Sequence, residues 1–401
     1  MSWLFRKSTR SPEDQFADEI VALAQGAGFK AERMDGFRIR LQHAGGSPVI
    51  MNLGNIFVEA RQLTGEARAT RLRTAVLAMS PPPRPASWNE AAPKLMPAVR
   101  TVAWLSGPDT APPINRPLLP FLRSMCAIDA GHAMTYVTDK DLAKWGVDAG
   151  QAFDTAAANL EKQSVQVGRA GQIAVVMGPD SYTSSWLAAP AKLRRIAADV
   201  GPEVVAVAAS RDSLVLVDTA DIAATTKVLQ EELKAYEEAP RGLSPVPYLV
   251  TEGSFQVWDP PKDHPLRHLV HKAQLVLANV EYGFQKSALD ERLSKAGEDV
   301  FVATYGLNQR PDGSLWSWAV WARQVTNALV PQVDVLLVAD NENKKDQFAV
   351  RWDDAIKMAG KALAQETTLD PRRWRYRGWP DASILAALRR VAVPFPPPPD
   401  L

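Results

Sequence analysis

The sequence predicts an α+β fold: several small mixed or antiparallel sheets with helices packed on one face. Three observations predict it. Short alternating or apolar runs of strand length recur along the whole chain, bounded by turn residues. Helical periodicities fall among them without the strict strand–helix alternation of a parallel α/β sheet. The composition, 46% hydrophobic and 23% charged over 401 residues, is that of a chain that buries real cores, with two or three domains as the starting expectation.

The bulk numbers also exclude function classes. Lys plus Arg number 46 against 45 Asp plus Glu, a net charge of +1, which argues against general nucleic-acid binding through a broad positive field. The single cysteine, Cys126, allows no intrachain disulfide and no Cys-rich zinc site; in the apolar stretch from Leu118 to Ile128 it reads as a buried thiol. No stretch reaches the roughly 18 apolar residues of a membrane span. At the N-terminus, Trp3, Leu4 and Phe5 meet Arg6 and Lys7 at once, without a signal-peptide core. They read as a frayed end in preference to a peripheral anchor, and the expected location is cytoplasmic.

Taken in order, residues 1–80 form an N-terminal lobe. Ser11-Pro12-Glu13-Asp14 supplies an N-cap, a first-turn proline and acidic residues, and Phe16, Ile20, Leu23 and Ala24 continue the helix to Gly26. Asp35-Gly36 joins a hairpin in which Phe37, Ile39 and Leu41 share one face. A strand near Val49 to Met51 and helices near 54–64 and 67–79 complete the lobe. Residues 81–116 read as a proline-rich connector with one short strand, Val99 to Leu105, because 11 of the 31 prolines fall between 80 and 120.

The middle region, 117–258, opens with Thr138 as an N-cap and a second helix near 150–162. It then runs strand (Ile173–Met177), helix, strand (Val204–Ala209), strand (Ser213–Asp218), helix and a last strand pair near Tyr248–Thr251 and Ser254–Trp258. That order suits a split βαβ, ferredoxin-like unit. Residues 259–401 are tryptophan-rich. A helix from Pro265 to Phe284 precedes an antiparallel meander, a helix from Asp353 to Ala364 and a basic strand near 373–378. Trp316 and Trp318 read as core residues. The end, Pro394-Phe-Pro-Pro-Pro-Pro399, is a polyproline tail that could dock in an aromatic groove, with packing on its own domain preferred.

Tyr136-Val-Thr-Asp139, Leu142, Trp145-Gly146-Val147 and Ala156-Ala-Ala-Asn159-Leu160, with Ser210-Arg211-Asp212-Ser213-Leu214 and Leu243-Ser244-Pro245 later, resemble the YtpQ-like family of bacterial proteins. The likeness covers roughly residues 13–258 and leaves the C-terminal part as an extension. The family has no settled activity, cofactor or catalytic residues, so the resemblance implies none here. Ser210 stands where relatives more often carry asparagine.

Four clusters could carry chemistry. His264, His268 and His271, spaced four and three apart, could turn three imidazoles to one face of a helix and hold zinc or another transition metal. A proline follows His264 where a metalloprotease has glutamate, and a polar helix edge is the plainer reading. Arg211 and Asp212 could clamp an anion, against the simpler reading of a tight turn in which Asp212 bonds its own backbone. Arg373, Arg375 and Arg377, alternating with Trp374 and Tyr376, could bind phosphate or an acidic partner on an exposed basic face. Asp334 with Glu342-Asn-Lys344 echoes a metal-dependent nuclease pattern, and Asp180-Ser181 could cap an anion at a helix start; ordinary turns explain both better. No P-loop, dinucleotide-binding glycine motif, nucleophile elbow or Cys-x-x-Cys is present. The functional expectation is a binding or interaction protein, for a protein partner or a small anionic ligand, with no cofactor and no catalysis. A metal-dependent hydrolase centred on the three histidines is the alternative.

Overall fold

Ser11 caps the first helix, Pro12–Gly26, by accepting from the Asp14 amide at 3.0 Å. The computed structural model that shows this describes residues 10–43, 48–79, 84–105, 112–131, 134–178, 182–240, 242–252, 254–340, 342 and 347–398. The expectations on Trp3 to Lys7, on Asp180-Ser181 and on Asn343 and Lys344 fall outside those residues. The chain is α+β and forms two compact units: Met1–Pro97, Met125–Gln163 and Glu238–Gly242 in the first; Ala98–Ser124, Ser164–Glu237 and Leu243–Leu401 in the second.

The first unit contains the N-terminal lobe. Strands Phe29–Met34, Arg38–His43 and Val49–Asn52 form an antiparallel sheet in that order, with Ala31 opposite Leu41 and Ile39 opposite Met51. Ile39 and Leu41 are fully buried against Phe16, Ile20, Ile56 and Leu72 from the lobe's helices. The hairpin loop takes three residues, not the expected two. Phe37 joins Asp35-Gly36 in it with φ +57°, so its ring leaves the strand and meets Phe16 and Phe57 edge-on or tilted. The aromatic contacts offset a backbone conformation that costs a non-glycine residue about 1 kcal/mol or more.

Later in this unit, Thr138 and Asp141 form the capping box of the helix Asp139–Trp145, which Gly146 closes at φ +70°. Trp145 Nε1 donates to the Pro85 carbonyl at 3.1 Å, and Arg84 pairs with Asp141. On the helix Ala149–Lys162, Asn159 donates to the carbonyls of Ala92 and Leu95 at 2.7 and 2.9 Å.

Among the described residues, three sheets belong to the second unit, and strand Asn115–Leu119 of a fourth lies in it too. Its six-stranded sheet runs Phe255–Val257, Gly242–Val250, Val204–Ser210, Val215–Asp218, Ile173–Met177, Gln166–Ala170. Val215–Asp218 lies between Val204–Ser210 and Ile173–Met177 and antiparallel to both, so those two are parallel, as in a split βαβ unit. The ferredoxin-like expectation fails at the last strand. In that fold it pairs with the first strand, but here Gly242–Val250 lies beside Val204–Ser210. The reason is local. Gln166–Ala170 forms a hairpin with Ile173–Met177 and fills the edge a ferredoxin-like last strand would need.

The C-terminal part is two sheets, which replaces the expected single meander. One runs Gly306–Gln309, Leu315–Ala322, Val335–Ala339, Phe348–Arg351, Ala392–Val393; the other runs Phe301–Val302, Asn327–Pro331, Arg373–Arg377, Leu363–Glu366. Because Asn327–Pro331 departs to the second sheet, Leu315–Ala322 and Val335–Ala339 pair in parallel. Their shared core holds Trp321, Trp352, Trp374 and Tyr376, against Leu275 and Tyr282 of a 30-residue helix, Arg267–Ala296. Trp316 is buried, as expected of a core residue, and Trp318 is half-buried, but both lie outside that cluster. They take the opposite face of their strand and meet the C-terminal Phe395.

Candidate functional site

The long helix carries the stripe Gln274, Leu277, Ala278, Tyr282, recurring every three to four residues, on the face that lines a cavity of about 280 Å³ inside the second unit. This is the small end of the range of ligand pockets, about 300–1,000 Å³. Strand Gly242–Val250 adds Val246 and Tyr248, and Phe255–Val257 adds Val257. Ser317 comes from Leu315–Ala322, and Gln332, Val333 and Asp334 from the segment leading into Val335–Ala339. Pro120 and Phe121 form the turn between strands Asn115–Leu119 and Leu122–Asp129. Phe121 holds φ +63° there, and its ring meets that of Tyr282 edge-on at 5.9 Å. A strained aromatic residue in a cavity wall is the kind of outlier that accompanies a site.

Three tyrosines show the cavity their rings and keep their hydroxyls engaged. Tyr248 shares a 2.6 Å hydrogen bond with Ser244 Oγ. Tyr282 donates to the Arg372 carbonyl at 2.8 Å and accepts from the Gln332 amide at 3.3 Å. Its ring stacks on Tyr305 at 5.3 Å and 14°. Burial pushes the Tyr282 phenol up to about 12, and it raises Tyr248 and Tyr305 as well, so all three rings are neutral in ordinary buffers.

Asp334 is the one carboxylate in the lining among the described residues. Parallel pairing sets it beside Ser317, and the two residues bond reciprocally. Asp334 Oδ2 accepts from the Ser317 amide at 2.8 Å and from its hydroxyl at 3.0 Å, while the Asp334 amide donates to Ser317 Oγ at 2.8 Å. Asp334 Oδ1 lies 3.4 Å from Nε2 of His271, one helical turn from Gln274. A fixed acceptor among apolar rings, with an imidazole beside it, suits a donor or a cation.

The histidine cluster separates. His264 precedes the long helix, and its Nδ1 accepts from the Leu266 amide at 3.2 Å while its ring meets Trp258. His268 is exposed on the first turn. Only His271 reaches the cavity region. Among the described residues no group of three or more His, Cys, Asp or Glu side chains is arranged to hold a metal ion.

The basic strand is not an exposed basic face. Arg373–Arg377 is a central strand, paired on both sides, and Arg373 is 0% exposed. Its guanidinium donates to Gln285 Oε1 at 2.6 Å and to the carbonyls of Ala303, Leu329 and Tyr282 at 2.8, 3.2 and 3.2 Å. Burial depresses it to about 10. Arg375 pairs with Glu366 and donates to Asn327 Oδ1, which leaves Arg377 as the exposed member. Arg211 and Asp212 lie at a turn as expected, but serine hydroxyls do the bonding. Ser210 Oγ accepts from the Asp212 amide at 3.2 Å, and Ser213 Oγ accepts from the Ser210 amide at 2.9 Å. Cys126 is fully buried and, as the chain's single cysteine, forms no intrachain disulfide.

The three tyrosines escaped the sequence reading because they come from a strand, a helix and a loop far apart in the chain. The helix stripe was the readable signal: glutamine, glutamate and tyrosine at 274, 281, 282 and 285 sit where an amphipathic helix places its buried face. In comparisons with known proteins, the chain matches no family model, no curated protein and no solved structure.

Proposed function

We propose that this protein binds a small organic ligand that brings a positive charge or an N–H donor to Asp334 and lays its body on the tyrosine rings. The single observation that carries the reading is the Asp334 carboxylate, held by Ser317 in a cavity whose other lining residues are neutral. Ring faces attract a cation, by about 0.5–2 kcal/mol depending on its desolvation. The ligand charge proposed here is opposite to the anion anticipated from the arginine strand, because Arg373 is buried and Asp334 would repel an anion. The role is binding without catalysis. A cytoplasmic site of action belongs to the same reading, supported by a chain that uses a single, buried cysteine and so builds no disulfide framework. Among the described residues no helix is long and apolar enough to cross a membrane. Kinship with the YtpQ-like family is also part of this proposal, carried by the residues from Tyr136 to Leu160 and around Arg211.

Tyramine and 4-hydroxyphenylacetate test it, since they share a ring and differ in the sign of their charge. Calorimetric titration is expected to show binding of tyramine alone, weakened about tenfold or more in Asp334→Asn, the loss of one charge-assisted contact of about 1.5–3 kcal/mol. Binding of the acid, or of neither probe, overturns the reading.

A further inference from the structure

The C-terminal tail is seated on an aromatic face with the chemistry of a peptide-recognition site. Strand Ala392–Val393 pairs with Phe348–Arg351, and the chain continues as Pro394-Phe395-Pro396-Pro397-Pro398. Phe395 packs edge-on against Trp316 at 5.2 Å and Trp318 at 6.1 Å. Arg310 donates from Nε to the Pro397 carbonyl at 3.3 Å and from Nη2 to the Pro398 carbonyl at 3.2 Å. Its Nη1 is meanwhile held by Ser314 Oγ and the Leu315 carbonyl, and its guanidinium lies 6.0 Å from the Trp316 ring centre. Proline has no N–H, so a proline run offers a partner only ring surface and carbonyl acceptors. Aromatic rings with a donor beside them are what recognises it.

The tail is also an incomplete occupant. Phe395 remains 45% exposed, and the two arginine bonds lie at the long end of the hydrogen-bond range.

We propose that the face formed by Arg310, Trp316 and Trp318 recognises a proline-rich segment of another protein, with an aromatic residue leading the prolines, and that the chain's own tail is its built-in competitor. The site is separate from the cavity: the two tryptophans lie on the face of strand Leu315–Ala322 opposite Ser317.

The test uses the full chain and a fluorescein-labelled peptide of its own last eight residues, Pro394 to Leu401. Tethering gives the tail a local concentration of about millimolar, so the peptide is expected to bind the unaltered chain at least about tenfold more weakly than the double variant Phe395→Ala/Pro397→Ala. Adding Arg310→Ala to that variant should abolish the gain, and a peptide with alanine for every proline should not bind. Equal binding to both chains, or binding to neither, overturns the proposal. A second measurement needs no variant. Titrating the unaltered chain with unlabelled peptide to millimolar concentration should change the tryptophan emission, while the alanine peptide should not. No difference between the two peptides overturns the proposal even where the double variant does not fold.

Discussion

Glu281 is 1% exposed on the long helix, next to Tyr282, and its carboxylate accepts from the Ala103 amide at 2.7 Å. Burial, aided slightly by the charge of Asp370, pushes it up from 4.5 to about 7 against that hydrogen bond and one from Thr101. A carboxyl raised in this way holds its proton more tightly folded than unfolded. Between 4.5 and about 7 the folded chain carries the additional proton, so stability falls as pH rises through that window. Glu281→Gln keeps the acceptor and removes the ionisation. Compared with the unaltered chain in urea titrations, it is expected to gain up to about 3 kcal/mol between about pH 4 and about pH 8. A constant difference across that range would show that Glu281 does not titrate there. Little of this was legible in the sequence, because a lone glutamate in a helix reads as a solvated position. Its burial follows from packing against Ala103, 178 residues away along the chain.

Among the side chains that fasten the long helix to the C-terminal sheets, Arg373 makes the most bonds. Arg373 reaches from a central strand to Gln285 and the Tyr282 carbonyl on the helix, and to Ala303 and Leu329 on the strands beside it. Arg373→Met would keep much of the volume and leave a glutamine oxygen and three carbonyls without that donor. Denaturant unfolding is expected to show a loss of about 3 kcal/mol or more, as when a buried charged partner is removed. The exposed Arg377→Met should stay within about 0.5 kcal/mol. Equal effects at the two positions would refute the fastening role. The alternation of arginines with Trp374 and Tyr376 did reveal the strand. It could not reveal that the strand is central, since a two-residue period says which residues share a face but not what covers it. Caps were more readable. Ser11, Thr138 and Gly146 act through bonds to residues three or four positions away, so their roles are written locally.

At the scale of the molecule, the cluster built on Phe16, Ile20, Ile39, Leu41, Ile56 and Leu72 draws every member from residues 16–79. A fragment of residues 10–79 therefore takes a whole core with it. It is expected to unfold cooperatively on heating by circular dichroism; a gradual melt would show that the lobe needs the rest of its unit. The class of the fold and the existence of most elements were legible, whereas sheet order was not. The Gln166–Ala170 hairpin, not local pattern, decides where Gly242–Val250 pairs, and the departure of Asn327–Pro331 turns an expected meander into two sheets. The alternation of strand Leu315–Ala322 has one more consequence. Ser317 steadies Asp334 on one side while Trp316 and Trp318 hold the tail on the other, so a shift of this single ribbon moves both. Any coupling between occupancy on its two sides is necessarily reciprocal. Whatever factor a guest beside Asp334 imposes on release of the tail, release of the tail imposes on the hold over that guest.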